Sequence, residues 1–131
     1  MSYTKTNLKE VEDSAPKFGL SPDLEARFAR RALMGASLGL SYQRIAPNFR
    51  VPFGHKHRDQ EEVYVLLSGS ARLKLDDEVV DLVPWDAVRI DSATMRGLQA
   101  GPQGAELLAF GAGTDPGDAE LLQGWWSDQE G

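Results

Sequence analysis

The chain contains two histidines, His55 and His57, and they stand two residues apart in Gly54-His55-Lys56-His57-Arg58-Asp59-Gln60-Glu61-Glu62-Val63-Tyr64-Val65-Leu66-Leu67-Ser68-Gly69. On an extended strand, residues i and i+2 project to the same face. Both imidazoles can therefore reach one point. A carboxylate from the adjoining strand would make this a two-histidine, one-carboxylate centre, suited to Fe(II), Mn, Ni or Zn. Glu61 and Glu62 are neighbours on a strand and must face opposite ways, so only one of them can join the histidines.

Bulk composition narrows the chemistry further. The 131 residues suit one domain with a core of its own. The absence of cysteine excludes disulfides, thiolate metal sites and cysteine nucleophiles. The net charge of -6 and the lack of a basic stripe exclude a phosphate-backbone partner, since Arg27, Arg30 and Arg31 lie beside Asp23 and Glu25. No run of about 18 apolar residues is present to span a membrane. Met1 to Lys5 lack the apolar core of a secretion signal, so the cytoplasm is the expected location. There is no Ser-His-Asp pattern, no phosphate-cradling loop and no nucleotide fingerprint.

The elements that must position these residues follow from periodicity. Residues 1–37 are read as a loose arm carrying one helix over Ser21 to Leu33. Ser21 serves as its N-cap and Pro22 as its first residue, Leu24 and Phe28 form its apolar stripe, and Gly35 stops it. From residue 38 the period becomes two. Strands are expected over Leu40–Ile45, Phe49–Phe53, Glu62–Leu67, Ala71–Leu75, Val79–Leu82, Ala87–Ile90 and Glu106–Phe110, with another at Gly97-Leu98 that ends at Gly101-Pro102. Short strands with closely spaced turns make an all-β antiparallel sandwich or barrel over 38–112. The tail, 113–131, is read as irregular, with Trp125-Trp126 docking on the domain or on a second subunit. Edge strands and this tail make a homodimer the expected assembly.

These residues resemble the first motif of the cupin superfamily, G-x5-H-x-H-x(3,4)-E-x6-G. His55, His57, Glu62 and Gly69 match it in identity and spacing. Its leading glycine falls on Phe49. The resemblance covers roughly 38–112 and implies a small jelly-roll barrel, usually dimeric, with His55, His57 and Glu62 as ligands. The second motif, G-x5-P-x-G-x2-H-x3-N, aligns by spacing onto Trp85, Asp91, Ala93, Arg96 and Ala100, none of which keeps the family residue. Arg96 stands where the family has its fourth ligand, a histidine.

That exchange bears on function. With one carboxylate among its ligands a divalent ion leaves a net site charge of +1, which an inward guanidinium opposes by about 4 kcal/mol at about 4 Å and an effective dielectric of about 20, and arginine cannot release its proton. Without metal, Arg96 and Glu62 neutralise each other. The primary expectation is a small-molecule-binding barrel with an incomplete metal site. Its ligand is a small organic anion held by His55, His57 and Arg96, with Tyr42 lining the pocket. A metal-dependent enzyme of dioxygenase, isomerase or decarboxylase type using His55, His57 and Glu62 is the alternative that the resemblance implies. A third reading is a metal-free acid-base enzyme, which needs an acid beside one histidine.

Overall fold

A computed structural model describes residues 2–113 and 117–126. Eight strands form one antiparallel sheet: β1 (Leu24–Phe28), β2 (Leu38–Ile45), β3 (Phe53–His57), β4 (Glu61–Leu75), β5 (Glu78–Leu82), β6 (Ala87–Ile90), β7 (Arg96–Ala112) and β8 (Ala119–Gln123). The four-residue helix α1 (Arg30–Leu33) and two short 3-10 turns complete the elements. No described helix is long and apolar enough to cross a membrane.

Two long strands curl the sheet on itself. β7 pairs with β2 and β4 through its C-terminal half, and with β3 and the end of β4 through its N-terminal half. The β4–β7 register shifts between Leu66 and Ser68 and again between Gly69 and Ala71. Such irregularities bend a strand. Gly69 sits there at φ +78°, and a Cβ on it would lie 2.0 Å from the Gly104 carbonyl oxygen. A side chain at 69 would separate the strands where the barrel folds over. The core inside the curl is built from Leu24, Ala26, Ile45, Tyr64, Leu66, Leu73, Ile90, Leu98 and Leu107.

Three expectations are corrected. Residues Ser21 to Leu33 are not one helix: Leu24–Phe28 is a strand paired with β2, and helix remains only at Arg30–Leu33. The Leu24/Phe28 spacing of four fits either period, and Ala26 between them completes an inward-facing strand stripe. Pairing with β2 outweighs local helix propensity. Nor does a strand end at Gly101-Pro102, because β7 runs through both. Finally, the tail is not irregular throughout. β8 pairs with β3 over Phe53–His57, and Trp125 packs on Gly54, where a Cβ would meet the indole at 2.5 Å. The sheet therefore extends on both sides of the 38–112 segment. Trp85 occupies a turn at φ +77°, is 76% exposed and does not line the barrel cavity.

The outer face of β1 and β2 carries a charge cluster. Glu25 accepts hydrogen bonds from Arg27 Nε at 2.6 Å, Arg44 Nε at 3.0 Å and Lys9 Nζ at 3.4 Å. Burial alone would raise its pKa, but these cations outweigh burial and lower it to about 2. The folded-state pKa is depressed, so the stabilisation is present above the ordinary carboxyl range and is lost as pH falls from about 4.5 toward 2. Lys9 and Arg44 touch solvent, so we expect this to amount to on the order of 2 kcal/mol. Glu25→Gln should flatten the acid limb of stability against pH, measured by urea unfolding between pH 6 and 3. An unchanged limb would show that Glu25 does not contribute.

Candidate functional site

Strand pairing fixes which side chains meet. His55 and His57 project inward from β3 with Phe53, opposite Leu121, Ala119 and Gln123 of β8. Gly39 of β2, Gly111 of β7 and Glu62 of β4 lie in one register row, and Ser41, Ala109 and Tyr64 lie in the next. Directly paired residues share a face, so both rows point into the barrel.

The sequence-predicted trio converges. His55 Nε2 and His57 Nε2 each lie 3.3 Å from Glu62 Oε1, and ligand atoms of all three residues fall within 4.8 Å of one another. Burial alone would raise the Glu62 carboxyl, but the two imidazoles outweigh it and hold its pKa well below the usual carboxylate range. Glu61 is exposed and pairs with Arg89, so it is a solvated rim charge.

A fourth member comes from the tail. Asp118 is 2% exposed, and its Oδ1 lies 2.7 Å from His57 Nδ1. Asp118 also accepts from the backbone N–H groups of Asp59 and Gln60 and from the Gln60 side chain. Burial would raise its pKa, but these donors hold it well below the usual range. Asp118 is the acid that the acid-base reading required. A carboxylate on Nδ1 also aims Nε2 at Glu62 and fixes the imidazole, as at metal centres. His57 Nε2 is buried and makes no hydrogen bond of acceptable geometry. Burial would lower the His57 pKa, but Glu62 and Asp118 outweigh it and raise it. In the absence of metal, the Arg96 guanidinium is the fixed cation that faces Glu62.

Arg96 does enter the barrel wall, with no exposed surface. Its Nη1 donates to Glu62 Oε1 at 2.6 Å. Nη2 donates to the carbonyls of Asp91 and Thr94, both at 2.8 Å, and Nε donates to Thr94 O at 3.1 Å. The guanidinium is held by protein oxygens, and Arg96 does not line the cavity. Tyr42 does not line it either. It alternates with the inward Ser41 and Gln43, and its hydroxyl donates to Glu106 on the opposite face. Neither residue therefore stands where a ligand in this cavity would meet it.

The cavity has a volume of about 660 Å³. Its wall is largely apolar, with Leu20, Leu24, Val51, Phe53, Leu98 and Ala109 among its residues, and His55, His57, Glu62 and Gln60 form a polar corner. Phe18, Phe28 and Leu121 line it and are also more than half exposed, which puts them at its mouth. Tyr64 lines it too, with its hydroxyl 3.5 Å from His55 Nε2. Burial, then the Glu62 charge, pushes that phenol well above its ordinary pKa. Tyr64 follows Glu62 by two on one strand, so the period-two rule could have found it. Asp118, from a segment read as irregular, gave no such signal.

The three donors suit a divalent transition ion in ligand type, in proximity and in the carboxylate behind His57. Arg96 opposes its charge. No protein-family model matches the sequence, nor does any curated protein. Solved structures do resemble it. Oxalate decarboxylase from Bacillus subtilis superposes with a TM-score of 0.78 at 22% identity, over 93% of this chain and 32% of that one. A cupin protein from Bacteroides fragilis superposes with a TM-score of 0.70 at 20% identity, over 100% of this chain and 96% of that one. This chain thus spans about a third of the decarboxylase chain. The likeness shows that the protein has the cupin fold.

Proposed function

We propose that this protein binds a small organic molecule inside its barrel, with the ligand's polar head at the His55–His57–Glu62 corner and its carbon body along the apolar wall. The cavity carries this reading: about 660 Å³, mostly apolar, with polar groups converging at one end. Ligand sites commonly have this size and make-up. Oxalate, a two-carbon dianion, would leave most of such a wall uncovered, so the decarboxylase likeness does not extend to its substrate.

One observation favours a second reading. The orphaned Nε2 of His57, backed by Asp118, supports His55, His57 and Glu62 as holders of a divalent ion such as Mn, Fe, Ni or Zn. A bound ion would supply Lewis-acid chemistry toward a ligand carbonyl or carboxylate. His57 and Glu62 would then serve as fixed donors, and Asp118 would keep the His57 Nδ1 proton.

Titration calorimetry with 1-octanol tests the first reading. Burying eight methylene-sized groups at about 0.8 kcal/mol each, less the cost of association, gives a dissociation constant between tens of micromolar and about a millimolar. Ala109→Phe, which fills the wall, should abolish binding. Absence of binding to the wild type would overturn the reading. One tightly held metal ion per chain, in protein purified without added metal, would establish the second reading in its place.

A further inference from the structure

The charge that the cavity offers a ligand comes from a residue outside the motif. We propose that Arg30 is an anion anchor and that the ligand class is a carboxylic acid with an apolar body. This rests on the cavity reading above. Arg30 opens α1 and lines the cavity. Its Nε would lie 3.4 Å from a Cβ on Gly39, so the side chain runs across the bare backbone of β2. Gln60 does the same over Gly111, where a Cβ would meet its Oε1 at 2.1 Å. Gly39, Gly111 and Glu62 are consecutive partners in one row. Arg30, Gln60 and the His57–Glu62 pair therefore follow one another along the polar end of the barrel, within about two strand spacings, or about 10 Å. Two adjacent glycines in that row leave room for the two long polar side chains.

Among the described residues, Arg30 is the one arginine or lysine that lines the cavity. The other ionisable groups in the polar corner are His55, His57, Glu62 and the Tyr64 phenol. Glu62 is matched by Arg96, and Asp118, behind His57, is held by the backbone N–H groups of Asp59 and Gln60. Arg27 and Arg44 pair with Glu25, Arg72 with Asp81, and Arg89 with Glu61 and Asp91. Among the described residues Arg30 has no carboxylate partner, and its hydrogen bond goes to the Gly113 carbonyl. A half-buried guanidinium beside an apolar wall is a receptor for a carboxylate, which it can hold through two parallel N–H bonds. The apolar wall and the mouth residues Phe18, Phe28 and Leu121 select against small, fully polar anions.

Calorimetry at pH 7.5 with octanoate and 1-octanol, which differ at the head and share the chain, tests the assignment. Wild type should bind octanoate at least tenfold more tightly than octanol. Arg30→Gln should erase the preference, and octanol binding that is still measurable reports an intact cavity. Arg30→Lys should retain part of the preference. If octanol binds without any octanoate preference, or if the preference survives Arg30→Gln, the anchor is wrong while the cavity reading stands. If neither compound binds wild type, both fall. Should Arg30→Gln not fold, an octanoate preference undiminished in Arg30→Lys would overturn the anchor in the same way.

Discussion

Glu62→Leu is expected to destabilise the protein by about 3–5 kcal/mol, the usual penalty for leaving a buried charge without its partner. Arg96 has no exposed surface and cannot be deprotonated. Its Nη1 loses the 2.6 Å bond to Glu62, and no other carboxylate of the described residues pairs with it. The three carbonyls that hold Nη2 and Nε satisfy donors but do not neutralise the charge. The paired variant Glu62→Leu/Arg96→Met should recover most of the loss, since replacing both members of a buried ion pair with apolar side chains of similar volume is often near neutral. Urea unfolding of the two single variants and the double closes the cycle. A Glu62→Leu loss below about 1 kcal/mol, or a double variant no better than the single, would show that the pair is not what secures this corner.

The same pair explains how far the sequence could be read. The period-two spacing of His55 and His57 and the step to Glu62 are local, and they placed three side chains that the barrel does bring together. Part of the strand pattern over 38–112 was legible for the same reason: Ala87–Ile90 is reproduced to the residue, and β2 and β5 nearly so, whereas the strand expected at Phe49–Phe53 runs instead over Phe53–His57 and those expected at Glu62–Leu67 and Ala71–Leu75 are one strand. What could not be read was pairing across long separations. Leu24, Ala26 and Phe28 become a strand because β2 accepts them, and nothing within Ser21 to Leu33 announces this. Asp118 is set behind His57 across 61 residues because β8 docks on β3. Arg30 enters the cavity because the predicted helix breaks just before it. Arg96 was rightly placed near Glu62. Its enclosure by the carbonyls of Asp91, Ser92 and Thr94 depends on a turn whose path the sequence does not specify.

Arg96→His is expected to raise affinity for Mn(II) or Zn(II) by about three powers of ten. His55 and position 96 are direct partners across β3 and β7, so their Cβ atoms share a face at about 4.5–5.5 Å. An imidazole at 96 would therefore point toward the existing donors. It removes the like-charge opposition of about 4 kcal/mol and adds a fourth neutral ligand. About 4 kcal/mol alone corresponds to nearly a thousandfold in dissociation constant. The metal-free variant should unfold more easily than wild type, because Glu62 has lost its cation, and saturating Zn(II) should restore or exceed wild-type stability by mass action. Competition against a chelating dye, with urea unfolding in the presence and absence of Zn(II), measures both effects. Equal affinities in wild type and variant would mean that the guanidinium does not govern this centre, and that its charge is already absorbed by the oxygens around it.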